Sequence, residues 1–238
     1  MPDPLVSLLD VQDRDLVADQ LRHRRATLQE RGQLAEQDAL AATISVELAG
    51  LDEQLADLGR TQKRLEDEVA TVEAKRSAEN VKLYAGTVTS PRELQAMQEE
   101  IDALGRRQRE LEDSLIEIME AVEPIAEAAD GLRARHAAAL AQAASLGTAL
   151  ADAELIVDRE LAELATVRAA AAAHVPTDLL ETYEKLRAHL GGVGVARLDG
   201  TQCSGCHLSL PATELDALRH AVSGTVVYHE ECGRILVR

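Results

Sequence analysis

The chain has 238 residues and a formal net charge of -17, and it contains no Trp, no Phe and three Tyr. A compact core of this length normally uses aromatic side chains as its large fillers, so their scarcity argues against one thick core. Proteins that bind duplex DNA or RNA usually present a basic face, so an acidic balance of this size argues against a nucleic-acid clamp.

The first predicted element is a long helix. Asp3 before Pro4 is typical of an N-cap followed by the first helical position, and no proline interrupts the chain from there to about Leu83. Apolar residues then recur on alternating steps of four and three, with Gln62 at the one polar step. This stripe consists of Ile44, Leu48, Leu51, Leu55, Leu58, Leu65, Val69 and Val72. The spacing predicts one arm of a coiled coil.

A break follows near the middle of the chain, at residues 84–91. Gly86 can end a helix, and Ser90 followed by Pro91 and Glu93 has the pattern of an N-cap, a first helical position and a capping box. We therefore predict that this segment is the tip of a hairpin.

The second arm repeats the heptad. Its stripe consists of Leu94, Met97, Ile101, Leu104, Gln108, Leu111, Leu115, Ile118, Val122, Ile125, Ala129, Leu132 and His136. Two arms of similar length would bury these stripes against each other, which predicts a mainly α fold built on a long antiparallel coiled-coil hairpin. A stripe alone would also fit a parallel homodimer, but the capped break favours the hairpin. Pro124 is expected to kink the second arm.

A short helix is expected after the second arm. Val175 and Pro176 end that arm, Thr177 is a candidate cap for a helix from Asp178 to Leu190, and Gly191–Gly192 ends it. This predicts two parts, residues 1–175 as the hairpin and residues 176–238 as a short helix with a small metal-binding domain.

The candidate metal ligands lie in the last 40 residues. Cys203 and Cys206 form a CxxC pair, and His229 and Cys232 form an HxxC pair after 22 intervening residues. Two closely spaced pairs separated by about 20 residues are typical of structural zinc sites, and thiolate and imidazole donors suit zinc. A site with four protein ligands has no open position for water, so we predict a structural zinc ion and no enzyme activity.

Two alternatives remain open at the site. His207, next to Cys206, and His220 compete with His229 as the fourth ligand, although only His229 completes a second pair. The three cysteines could also be merely buried and reduced, but chance would then have to place all of them at ligand spacing.

These residues carry a resemblance to a known family. The stretch LDGTQCSGCHLSLP begins at Leu198 and YHEECGRIL begins at Tyr228, while SPRELQAMQEEI begins at the tip with Ser90. The chain resembles the bacterial coiled-coil proteins with a C-terminal C4-type zinc ribbon, often described as nucleic-acid-binding. The resemblance implies roles as chaperones and regulators of flagellar or type III secretion systems. His229 stands where the family has a cysteine.

The expected function is that of a non-enzymatic, zinc-binding adaptor or chaperone-like protein that acts on protein partners in the cytoplasm. The runner-up is RNA or DNA binding through the zinc ribbon. The C-terminal piece from Gly191 has four arginines (Arg197, Arg219, Arg234, Arg238) against five acids, which does not favour that alternative. No apolar run reaches the length of a membrane span, so no membrane association is expected.

Overall fold

The structure is a computed structural model that describes residues 3–222 and 224–238. Its contacts group the chain into two compact units. We call Leu34–Ser145 the hairpin unit, and Met1–Gln33 together with Leu146–Arg238 the ribbon unit. The predicted division into residues 1–175 and 176–238 stays a prediction, because the two units are grouped by contacts and the ribbon unit joins both ends of the chain.

Five helices and four strands are described. The helices are α1 (Pro4–Ala26), α2 (Gln29–Tyr84), α3 (Pro91–Ala172), α4 (Thr177–His189) and α5 (Ala212–His220). The strands are β1 (Val195–Asp199), β2 (Gln202–Cys203), β3 (Val227–Tyr228) and β4 (Ile235–Val237). The predicted mainly α fold with a coiled-coil hairpin and a small C-terminal ribbon is confirmed.

Within the hairpin unit, α2 and α3 pair in antiparallel orientation. Asp52 on α2 pairs with Arg133 on α3, whereas Glu68, closer to the tip, pairs with Arg107. Every residue of the two predicted stripes is buried or half-buried. The most deeply buried are Ile44, Ile101, Leu111 and Ala129. The heptad therefore identified the seam correctly on both arms.

The hairpin tip lies where the sequence placed it. Helix α2 ends at Tyr84 and α3 begins at Pro91, while Gly86 adopts a positive φ of 68°. The amide of Leu94 donates to the Ser90 carbonyl, which closes the first turn of α3. Pro124 lies inside α3 and does not end it.

The first predicted arm is interrupted, which the sequence analysis missed. α1 ends at Ala26, and Thr27 takes a non-helical φ of -109° with its hydroxyl donating to the His23 carbonyl. Threonine is a weak helix former that readily bonds backbone carbonyls, so no glycine or proline is needed for the break. α1 thereby becomes a separate element, which packs within the ribbon unit.

The core of the ribbon unit has two layers separated by the sheet, whose strand order is β2-β1-β4-β3. β1 pairs in parallel with β4, and neighbouring residues along each strand face opposite layers. The first layer joins α1, α4 and the sheet through Leu5, Leu8, Leu9, Val11, Val175, Leu179, Tyr183, Val195, Ile235 and Val237. The second layer contains Ala196, Cys203, Leu210, Leu218 and Leu236.

Two buried polar residues of α1 form hydrogen bonds with other segments of the ribbon unit. Nε2 of Gln12 donates to the Gly192 carbonyl, and Oε1 of Gln12 accepts from the Gly194 amide. Asp15 accepts hydrogen bonds from the Tyr183 hydroxyl at 2.7 Å and from Arg168 Nε at 2.7 Å. Burial alone would raise the pKa of Asp15, but these bonds outweigh it and leave the pKa below its ordinary value.

α4 begins at Thr177 itself, with Pro176 as its N-cap and no side-chain cap bond, so the prediction of Thr177 as the cap is wrong.

α3 contains an 18-residue window with a mean hydropathy of 1.2, of which 11% is buried. One such window, judged by length and composition only, is weak evidence for a membrane span, so the expectation of no membrane association stays a prediction.

Candidate metal centre

The first ligand pair begins on β2, which ends at Cys203, and continues into the tight turn that follows this strand. The Cys203 amide donates to the Leu208 carbonyl, and the His207 amide donates back to the Cys203 carbonyl at 2.8 Å. His207 takes the positive φ of this turn, 63°. The turn thus points both cysteine side chains of the pair to one side of the sheet.

Gly205 lies inside this pair, where the side chain of Arg234 approaches the backbone closely. Its φ is not positive, but an added Cβ would lie 2.6 Å from Cδ of Arg234. Arg234 crosses the turn here to donate to the carbonyls of Val193 and Leu190. Glycine is therefore required by the close approach of a side chain and not by the turn itself.

The second ligand pair lies between β3 and β4. The Gly233 amide donates to the His229 carbonyl at 2.7 Å, and the His229 amide donates to the Arg234 carbonyl. Gly233 has a φ of 69°, which glycine adopts without strain.

The structure brings the two pairs together. The ligand atoms of Cys203, Cys206, His229 and Cys232 all lie within 4.8 Å of one another. Nδ1 of His229 lies 3.3 Å from Sγ of Cys206 and 3.0 Å from Sγ of Cys232. Cys203 and His229 are fully buried, whereas the other two cysteines are half-buried.

The two competing histidines lie outside this cluster. His207 is exposed, and His220 is exposed on α5 with Nδ1 against the Asp216 carbonyl. The cluster is also the only group of three or more ligand-type side chains at metal-binding distance among residues 3–222 and 224–238.

The donor set fits a zinc ion. Three sulfurs and one imidazole nitrogen converge from two turns, and four such donors complete the shell of a structural zinc. Burial raises the pKa of Cys203. Burial also acts to raise the pKa of Cys232, but hydrogen bonds from Arg234 and His229 outweigh it and set that pKa at about 7. A thiol of this kind loses its proton to solvent readily at neutral pH and so presents a thiolate to a metal ion.

One neighbour of the cluster had no signal in the sequence. Glu214 is buried in the first turn of α5, a helix that the sequence analysis did not predict. Its Oε1 accepts the Glu230 amide at 2.6 Å, and its Oε2 lies 3.9 Å from Nε2 of His229. A nine-residue helix without a long apolar repeat gives too little periodicity to be recognised.

Two family descriptions match the chain. The CT398-like coiled coil hairpin domain matches residues 11–191, and the C4-type zinc ribbon domain matches residues 202–236. The chain belongs to this family of CT398-like hairpin proteins with a zinc ribbon. The predicted recognition is thereby confirmed.

Other members resemble the chain along its whole length. The uncharacterized Mycobacterium tuberculosis proteins MT2288 and Rv2229c are each 31% identical over 98% of this chain and 94% of their own length. A solved structure from Mycobacterium smegmatis is 28% identical, with a TM-score of 0.88 over 98% of this chain and 96% of that one. CT398 from Chlamydia trachomatis, at 20% identity and a TM-score of 0.74 over 98% and 96%, shares the fold.

This CT398-like protein departs from the C4 type at one ligand. His229 occupies a position within the matched ribbon, so the cluster contains three cysteines and one histidine. Exchanging a thiolate for a neutral imidazole removes one negative charge from the ligand set and introduces a second ring nitrogen, which must find its own partner.

Proposed function

We propose that this protein is a non-enzymatic, zinc-binding adaptor or chaperone-like protein that binds protein partners through its hairpin tip and its ribbon. The observation that carries the proposal is an exposed cleft beside the tip. The cleft has a volume of about 630 Å³ and lies within the hairpin unit. Its lining residues are Glu73, Arg76, Ser77, Asn80, Val81, Tyr84, Ala85 and Gln108.

The cleft combines apolar and polar recognition. Val81 is 68% exposed and Tyr84 is 82% exposed, although both are large apolar side chains. Beside them, the Arg76 guanidinium lies across Gly105, with its carbon 3.5 Å from where a Cβ would be, and its Nη1 donates to Oε1 of Gln108. Nε of Arg76 is buried without a hydrogen-bond partner among the described residues.

This arrangement suits a protein segment that presents one apolar side chain and one acceptor oxygen. The apolar side chain would cover Val81 and Tyr84, while a carboxylate would pair with the charge of the Arg76 guanidinium, a half-buried group that already bonds Gln108 in the cleft. Interfaces commonly use Tyr and Arg in this way.

The zinc ion has a structural role in this proposal. Cys203, Cys206, His229 and Cys232 would hold it, and as four protein ligands they leave no coordination position for a substrate. By tying the two turns together, it would keep the ribbon sheet and α5 ordered as a second contact surface.

The ribbon arginines give nucleic-acid binding little support. Arg234 donates to two backbone carbonyls of its own chain, and Arg238 donates to the carbonyls of Arg219 and Ala221. Arg197 pairs with Asp13 at 3.6 Å. Affinity for nucleic acid depends on cations that are free to neutralise phosphates, and these are largely committed.

The test is affinity capture from the native cell with matched variants. Val81→Ser and Tyr84→Ala remove the apolar part of the cleft. Val46→Ser alters a valine elsewhere on α2 that is exposed to a similar extent, 76% against 68% for Val81. We expect a defined set of proteins to be retained by the wild type and by Val46→Ser but lost with the cleft variants. Capture that is unchanged in all variants, or submicromolar RNA binding lost on Arg197→Ala and Arg219→Ala, would contradict the proposal.

A further inference from the structure

Two buried polar atoms face each other beside the metal centre, and neither has a hydrogen-bond partner in the part of the chain that the structure describes. They are Nε2 of His229 and Oε2 of Glu214, 3.9 Å apart. His229 is 0% exposed and Glu214 is 8% exposed. Unpaired buried polar atoms are costly, so two of them lying face to face call for a physical explanation.

The orientation of the His229 ring explains why these two atoms face each other. Nδ1 lies near the sulfurs of Cys206 and Cys232, so Nε2 points away from the cluster and towards α5. A neutral imidazole that binds a metal through Nδ1 carries its proton on Nε2. That N–H is a donor that needs an acceptor in a site closed to water.

Glu214 is held where it can be that acceptor. Its Oε1 already accepts the Glu230 amide at 2.6 Å, which fixes the carboxylate against the second ligand turn. Oε2 is left over, and His229 Nε2 is the ring nitrogen that it faces. One carboxylate thus has an oxygen for the backbone of the ligand turn and another for the ligand side chain.

We propose that Glu214 is a positioning residue of the zinc site, which accepts the Nε2–H of His229 when the metal is bound and so selects Nδ1 as the ligand atom. The inference rests on the zinc site proposed above. Metal-bound histidines commonly donate their other N–H to a carboxylate, which fixes the ring and strengthens its ligand nitrogen. A fourth cysteine would have no such N–H, so this role of Glu214 exists only because residue 229 is a histidine.

Zinc affinity of the full-length protein, measured by competition with a chromophoric chelator, is the first readout. Glu214→Gln keeps the shape of the side chain but has one oxygen for two donors. We expect it to weaken zinc binding about 10- to 100-fold, the usual effect of losing such a partner. Glu231→Gln removes an equal charge from an exposed residue beside Cys232 and should leave the affinity nearly unchanged.

Nitrogen-15 NMR of histidine-labelled, zinc-loaded protein provides a readout that a purely structural role would not move. In the wild type, we expect metal-bound Nδ1 and protonated Nε2 for His229, with the Nε2–H resonance shifted by its hydrogen bond. Glu214→Gln should shift that resonance, and Glu231→Gln should not. Metal bound through Nε2, or an unshifted resonance in Glu214→Gln, would overturn the inference.

A double-mutant cycle separates the positioning role from the structural one. In the His229→Cys background the fourth ligand has no N–H for Glu214, so Glu214→Gln should have little further effect on zinc affinity. An equal loss in both backgrounds would assign Glu214 to backbone support alone and overturn the inference while leaving the zinc site intact. A wild-type protein that binds no zinc would instead remove the proposed metal site itself.

Discussion

The hairpin unit and the ribbon unit are stabilised in different ways. The seam of the hairpin unit is a repeating line of aliphatic side chains, most of them only half-buried, flanked by exposed ion pairs such as Asp52 with Arg133. The ribbon unit has a layered core, and it holds all the buried polar residues that the structure describes: Ser7, Gln12, Asp15, Glu214 and His229. A repeat tolerates local change, whereas a core with buried polar groups depends on each bond being made.

The largest expected difference between the units comes from the metal ligands. Cys203→Ser or Cys232→Ser should abolish zinc binding and unfold the ribbon strands, because structural zinc contributes roughly 10–16 kcal/mol in modules of this size. Circular dichroism should retain most of the helical signal, while amide exchange at β1 and β4 should accelerate. His220→Ala, at an exposed histidine outside the cluster, is the control and should change neither. Loss of helix signal together with zinc would mean that the two units do not differ in this way.

Removal of the buried Asp15 carboxylate should have the next largest effect. Asp15→Ala leaves the Tyr183 hydroxyl without its acceptor and deprives Arg168 of its buried partner, so the free energy of unfolding should fall by about 3–5 kcal/mol. Urea unfolding of the zinc-loaded protein measures this. Asp13→Ala on the same helix removes an exposed partner of Arg197 and should cost under about 0.5 kcal/mol. Equal effects of the two variants would show that the network is not important for stability.

The lowered pKa of Asp15 predicts that the ribbon unit is sensitive to acid. The pKa of Asp15 in the folded protein is below the ordinary value of 3.8. Its contribution to stability is therefore present above that value and is lost as the pH falls through the lower, folded pKa. As the pH falls below the ordinary value of 3.8, wild type should lose more stability than Asp15→Asn. Parallel pH profiles for the two proteins would contradict the assignment.

Truncation within the hairpin seam should have a smaller effect. Ile44 is 2% exposed, and Ile44→Ala should lower the free energy of unfolding by about 2–3 kcal/mol, since a two-helix seam can partly close around the gap. Val46→Ala, two residues along and 76% exposed, is the matched control and should be nearly neutral. If both substitutions left the free energy of unfolding unchanged, burial of Ile44 in the seam would not contribute to stability.

The polar step of the seam should give the smallest effect, with the opposite sign. Gln62 is half-buried in the stripe and bonds Glu66 on its own helix at 2.9 Å. Gln62→Leu should raise the free energy of unfolding by about 0.5–1 kcal/mol, because an aliphatic residue fits the seam better. A lower urea midpoint would show instead that Gln62 makes a specific contribution to pairing.

The difference between the units also explains what the sequence could predict. Both stripes and the tip at residues 84–91 followed from a heptad and a capping pattern, which are local signals. That the pair Cys203 and Cys206 meets the pair His229 and Cys232 followed from ligand spacing. Asp15, Gln12 and Glu214 could not be found, because each meets partners that are distant along the chain and carries no motif. The break at Thr27 was missed because it contains neither glycine nor proline.

We propose that three cysteines and His229 hold one structural zinc ion. The direct measurement is the metal content of the purified native protein, combined with X-ray absorption at the zinc edge. We expect about one zinc per chain, with three sulfur neighbours and one nitrogen neighbour. An ordered ribbon in metal-free protein, or a metal with oxygen neighbours and an open position, would contradict it.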